Sequence, residues 1–145
     1  MQEGARRAGP QALCCAIHAD VAVGFPEEFR RVLRRAGAVA QREEALVAVG
    51  VKPSRVEPAF GYIRPGAPLD ASHVLADGGV HAVASFVEKP SEAEAMVHIA
   101  GGALWHSGIL VGSAGDFLKQ IAARTVELRD GLDALQRGNL PAFVG

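Results

Sequence analysis

Aromatic residues are scarce in this 145-residue chain, at 6%, and no charge of one sign predominates: 15 Lys and Arg stand against 16 Asp and Glu, a formal net charge of −1. Binding to nucleic-acid phosphates calls for a basic excess, and binding to single strands calls for rings on which bases stack. With neither in place, no nucleic-acid partner is expected. There are two cysteines, Cys14 and Cys15, and they are adjacent. Neighbouring cysteines rarely meet the Cα separation and Cβ direction of a disulfide. No C-x-x-C pair or Cys/His cluster points to zinc. Buried, reduced thiols in a cytoplasmic protein are the expectation. No apolar run reaches the roughly 18 residues of a membrane span, so no membrane partner is expected. The N-terminal residues are polar, with Arg6 and Arg7, and the short apolar run that follows leads straight into charge. No secretory leader is expected from that pattern. Internal repeats and low-complexity segments are absent.

What is present is an ordinary globular composition, 49% hydrophobic and 21% charged. The length suits one domain better than two and can bury a core without metal or disulfide staples. Residues 1–10 carry no apolar period and read as a loose tail, leaving 11–145 as the domain. Ala12–Ile17 (ALCCAI) and Ala45–Val51 (ALVAVGV) are continuous apolar runs, the pattern of strands covered on both faces, as in a parallel sheet. Between them, Pro26 with Glu27 and Glu28 opens an amphipathic helix over about 26–40, with Phe29, Val32, Leu33 and Ala36 on one side and Arg30, Arg31, Arg34 and Arg35 on the other. The arginine run suits a solvated helix face better than a phosphate site. Gly37 weakens the last turn.

A short strand is expected at 59–63, broken by Arg64-Pro65-Gly66, and a second at 80–87, antiparallel to it, after the turn signal Asp77-Gly78-Gly79. Ser91 and Glu94 form a capping box for a helix at about 91–98. Residues 103–111 read as a strand with Gly108 inside, the mark of a bulge or a close approach. Ser113 can cap a helix with Phe117, Leu118 and Ile121, and another helical period runs through Leu128, Leu132 and Leu135. The fold class is α/β with a mixed, mainly parallel sheet.

Four places could carry chemistry. Asp20 follows the carboxyl end of a buried strand, where open α/β sheets bind ligands. It is either a magnesium ligand shared with substrate phosphates or the cap of a turn. Glu88-Lys89-Pro90 ends a strand. Pro90 favours an extended Lys89, and successive side chains on a flat strand point to opposite faces. Glu88 and Lys89 therefore converge on one ligand only if the strand end twists. The carboxylate suits sugar hydroxyls and the ammonium suits a phosphate; the alternative is a solvated strand end. Gly61, between Phe60 and Tyr62, permits close approach of a ligand or serves packing. His106, in Trp105-His106-Ser107-Gly108, is a hydroxyl ligand or a satisfied structural group.

In order along the chain, these segments resemble one family. Phe60-Gly61-Tyr62-Ile63-Arg64 resembles the Y-G-Y-I stretch of bacterial mannose-1-phosphate guanylyltransferases. Phe86-Val87-Glu88-Lys89-Pro90 matches their F-V-E-K-P motif without a change. Leu104-Trp105-His106-Ser107-Gly108-Ile109 is similar to their L-W-N-S-G-I segment, and Ala19-Asp20-Val21 resembles their strand-end acidic motif. The resemblance covers residues 12–123. F-V-E-K-P is common to many sugar-1-phosphate nucleotidyltransferases, and the tryptophan segment shifts the choice towards mannose.

The resemblance implies a Rossmann-like nucleotidyltransferase domain that joins GTP and mannose 1-phosphate into GDP-mannose and releases pyrophosphate. It assigns Asp20 and Lys89 to catalysis, Asp20 as the Mg²⁺ ligand and Lys89 on the sugar phosphate. It assigns Glu88 to the sugar hydroxyls and Gly61 to backbone contact, and puts His106 where the family has asparagine. Two family features have no match here: the G-x-G-x-R phosphate loop and a late aspartate in an S-I-D-Y-like segment. The chain thus reads as a partial catalytic domain, a fragment whose isolated form is expected to be inactive. The alternatives are a non-catalytic sugar-phosphate-binding or interaction fragment, self-associating through exposed strand edges, and a glucose-1-phosphate relative.

Overall fold

The computed structural model describes residues 8–69 and 79–125. Most of the tail, residues 77 and 78 of the expected turn and the leucine period beyond 125 lie outside the described residues. The described elements are β1 (Leu13–Ala16), α1 (Pro26–Glu43), β2 (Val47–Val51), β3 (Tyr62–Pro68), β4 (His81–Val87), α2 (Glu92–Ala100), β5 (Leu104–Ser113) and α3 (Ala114–Arg124). The class is α/β, as expected. By its contacts the chain divides into two compact units, Val49–Gly108 and the segments on either side of it. The boundary passes through β2 and β5.

In the unit of the flanking segments, β1 pairs antiparallel with the end of β5, Leu13 opposite Ser113 and Ala16 opposite Leu110. Helix α1 begins with Pro26 and has Glu27 and Glu28 in its first turn. Its outer arginines serve the surface: Arg30 pairs with Glu27, and Arg31 with Glu28 at 2.6 Å. Such exposed pairs contribute little to stability. The helix continues past Gly37 to Glu43 because Gly37 is a packing position. A Cβ there would lie 2.5 Å from a methyl of Leu13. Ser113 caps α3 by accepting the Asp116 N–H at 3.0 Å.

The other unit is built on antiparallel pairing of β3 with both β4 and β5. Tyr62 stands opposite Val87 on one side and Trp105 on the other. These three side chains turn to the face that α2 covers. There Tyr62, Trp105, Ala103 and Ala95 form the buried cluster, with Val56, Val87 and Ile99 against it. The Tyr62 hydroxyl sits at the centre of a hydrogen-bond network. It donates to the Glu57 carbonyl at 3.1 Å, and accepts the Glu57 N–H and the Trp105 indole N–H, each at 3.2 Å. Arg55 pairs with Glu57 and lies over the rings of Phe60 and Trp105. The loop leading into β3 is held by these contacts.

The pairings of described register are antiparallel. Two expectations change. Residues of β1 alternate between exposed and half-buried instead of being covered on both faces, and a short apolar run carries no information about its partner's direction. For the same reason Cys15 is exposed and Cys14 only half-buried; both are free thiols. Finally, β3 does not stop at Arg64-Pro65-Gly66. It runs on to Pro68 with register shifts after Arg64 and Pro65, where its described pairing is with β4 and a missing N–H is tolerated. Among the described residues no helix is long and apolar enough to cross a membrane.

Tyr62→Phe removes one hydroxyl and takes away the acceptor of the buried Trp105 indole N–H and of the Glu57 N–H. The expected loss is about 1–3 kcal/mol, read as a lower urea midpoint at unchanged slope; an unmoved midpoint would show that the network contributes nothing. A second prediction concerns acid. Glu94 accepts from the Ser91 hydroxyl at 2.7 Å and the Ser91 N–H at 2.8 Å, closing the capping box. The side-chain bond first, then the backbone bond, hold its carboxyl below the ordinary range. A lowered folded value stabilises the fold fully above about pH 4.3, the unfolded value, and the effect fades as pH falls through the folded one. Ser91→Ala is therefore expected to flatten the acid-side decline of the urea midpoint below about pH 5.

Candidate functional site

The register that buries Tyr62 also assembles its neighbours. In an antiparallel pair, stepping back one residue on one strand steps forward one on the other. Tyr62 opposite Val87 and Trp105 thus puts Gly61 level with Glu88 and His106. Because side chains alternate, these residues share the face away from the α2 core. The backbone agrees: the His106 N–H donates to the Gly61 carbonyl at 2.8 Å.

Gly61 leaves room beside its backbone for the Glu88 carboxylate. A Cβ there would lie 2.9 Å from the Glu88 Oε2 and 3.5 Å from the His106 Cβ. The carboxylate occupies space that any other residue would fill. Beside it, His106 packs edge to face with Phe86, ring centres 5.5 Å apart. Its Nδ1 accepts the Gly108 N–H at 3.1 Å. Phe86 is 58% exposed, which makes the apolar part of this face open to a ligand. Glu88 and Lys89 are exposed and His106 half-buried.

Lys89 departs from expectation. Pro90 favours an extended residue before it, yet the φ of Lys89 is +45°. The left-handed conformation costs a side-chain-bearing residue roughly 1–2 kcal/mol, and such strain persists where the surroundings impose it. Here Val87 is pinned in the ladder, Pro90 is buried and Ser91 is fixed as the cap of α2. The chain must turn within two residues. That turn ends the flat strand geometry in which Glu88 and Lys89 would point to opposite faces.

Asp20 belongs to the unit of the flanking segments and is exposed in a turn beyond β1. Among the described residues no three His, Cys, Asp or Glu side chains are grouped to hold a metal ion. The sequence reading missed the Tyr62 network and the Gly108 N–H on His106. The first had a signal, since buried Tyr and Trp need hydrogen-bond partners.

The nucleotidyl transferase family model matches residues 3–143. The chain belongs to that family. It is 34% identical over 131 residues to the alginate biosynthesis protein AlgA of Pseudomonas aeruginosa, covering 89% of this chain and 26% of that protein. To the mannose-1-phosphate guanylyltransferase of Sinorhizobium fredii it is 29% identical, covering 93% of this chain and 25% of that protein. Among solved structures, one from Thermus thermophilus named mannose-1-phosphate geranyltransferase superposes with a TM-score of 0.80 at 28% identity, covering 98% of this chain and 40% of that one. The Rossmann-like α/β fold is shared with it. The chain spans about a quarter of the length of the curated relatives it matches.

The strain at Lys89 has a direct test. Lys89→Ala keeps the side-chain penalty and Lys89→Gly removes it, so the glycine variant is expected to be more stable than the alanine variant by about 1 kcal/mol. Equal unfolding midpoints would mean an unstrained turn.

Proposed function

We propose that this chain supplies the sugar-phosphate side of a nucleotidyl transfer from GTP to mannose 1-phosphate, yielding GDP-mannose and pyrophosphate. The observation that carries this reading is the single level of Gly61, Glu88 and His106, with Lys89 next in the chain. Glu88 offers only acceptors and would take hydrogen bonds from sugar hydroxyls. His106 would donate to another, and the gap at Gly61 admits the ring close to the backbone. Lys89 would neutralise the phosphate as a compact charge. The choice of mannose and guanosine follows the likeness to the Sinorhizobium fredii enzyme.

In the reaction, a phosphate oxygen of the sugar phosphate forms a bond to the α-phosphorus of the triphosphate, and the bond to the β-phosphate oxygen breaks. Such transfer relies on positioning and on neutralising charge as it shifts. Mg²⁺ would supply part of that neutralisation. Asp20 gives one carboxylate, which fits magnesium only where phosphate oxygens and water complete the shell. We place the reaction in the cytoplasm, in keeping with the free thiols Cys14 and Cys15.

One observation favours a second reading. No strand in this sequence is followed by G-x-G-x-R, the segment that would cradle a triphosphate through backbone amides. On that ground the 145-residue chain binds the sugar phosphate without turning over GTP unaided. Calorimetry with mannose 1-phosphate and a pyrophosphate-release assay separate the two: saturable binding with release supports the enzyme, and binding without release supports the binding module. No binding of mannose 1-phosphate or glucose 1-phosphate sinks both, and preference for glucose 1-phosphate moves the sugar assignment. Lys89→Ala is expected to weaken binding by about 1.5–3 kcal/mol, the scale of a charged hydrogen bond. Unchanged affinity removes Lys89 from the site.

A further inference from the structure

We infer that the open edge of β1 is a docking surface for a second copy of this chain, paired antiparallel about a two-fold axis at Cys15. Such pairing needs no sugar phosphate. The backbone defines the edge. The Ala114 N–H donates to the Ala12 carbonyl at 2.9 Å, which makes Ala12 and Ala114 a hydrogen-bonded pair of the β1–β5 ladder. The register then runs unbroken from Leu13 opposite Ser113 to Ala16 opposite Leu110. Hydrogen-bonded and non-hydrogen-bonded pairs alternate along such a ladder. Cys14 and Ala16 therefore direct their N–H and C=O groups to β5, and Leu13 and Cys15 direct theirs away from it. Among the described strands β1 pairs with β5 alone. The outward groups thus form an edge that no described strand fills.

The side chains mark the same residues. Leu13, Cys15 and Ile17 alternate with Cys14 and Ala16 and share one face. Leu13 leans on α1 at Gly37 yet is 47% exposed; Ile17 is 46% exposed, and Cys15 is exposed between them. Natural sheets guard an open edge with charge, proline or a bulge. Here the register is regular, no proline lies within β1, and no Asp, Glu, Lys or Arg occurs from Ala8 to Ala19. A regular, apolar and unguarded edge is one suited to pairing.

The pattern of the edge selects its occupant. Around Cys15 the exposed residues read apolar, cysteine, apolar in either direction, so the edge is complementary to itself when a copy runs antiparallel. In that register Cys15 faces Cys15 of the second copy, and the two exchange their outward backbone bonds. Leu13 faces Ile17 of the second copy, and the two apolar side chains cover one another. None of the paired residues is charged, so no like charges are opposed. A two-fold contact of this kind uses the same patch on both chains and closes at a dimer.

Two measurements on the full 145-residue chain decide it. Sedimentation equilibrium under reducing conditions is expected to show a monomer–dimer equilibrium in the micromolar range. Cys15→Lys sets two ammonium groups against each other at the axis and is expected to be monomeric with an unchanged circular dichroism spectrum; Cys15→Thr is expected to remain dimeric. Amide hydrogen exchange followed by NMR reads the edge in the native chain. The N–H groups of Leu13 and Cys15 are expected to gain protection as the chain concentration rises through the dimerisation range, while those of Cys14 and Ala16, held by β5, are protected throughout. A native chain that stays monomeric overturns the proposal. So does a dimer that leaves the Leu13 and Cys15 amides unprotected or that persists in folded Cys15→Lys, and growth beyond the dimer overturns the two-fold closure. Should Cys15→Lys fail to fold, the exchange pattern of the native chain decides by itself.

Discussion

The pairing of Tyr62 with Val87 and Trp105 is the constraint on which this site depends. It aligns segments more than forty residues apart in the chain, and it does so because Tyr62 and Trp105 bury their rings while their polar atoms satisfy one another. A slip of one residue would exchange the faces of a strand. The aromatic side chains would be carried into solvent and Glu88 or His106 into the α2 core. The same register that lowers the free energy of the fold therefore composes the face opposite. Core and candidate site are two sides of one set of hydrogen bonds.

This coupling explains why strain collects where it does. The β4 ladder ends at Val87 and the α2 cap is fixed at Ser91, leaving little chain for the change of direction. Lys89 takes the left-handed conformation in that interval, although glycine would adopt it with less penalty. The Phe86 ring packs at a steep angle against His106 yet leaves more than half of itself exposed.

Much of this was legible in the residues alone. The capping box at Ser91 and Glu94, the amphipathic helix from Pro26 and the cap at Ser113 are local signals, set within one turn of chain, and they appear where the pattern puts them. The antiparallel relation of β3 and β4 was legible too. The one-sided cover of β1 was not, because a short apolar run does not report how many faces are buried. Nor was the φ of Lys89, which is imposed by elements on both sides against the preference that Pro90 sets. The site residues could be nominated from motif spacing, whereas their common level follows only from a register that no single segment encodes.

That distinction bears on His106. From the sequence, a histidine in place of an asparagine looks like a loss of one hydrogen-bonding function. In the structure the missing function is spent inside the chain, on the Gly108 N–H. The histidine and the residue two places later are thus read together: the Gly108 N–H is donated to Nδ1, which in a neutral imidazole leaves the proton to Nε2. Reading either residue by itself would miss the effect. A backbone group thus takes up one ring nitrogen and restricts what the side chain has left for hydrogen bonding.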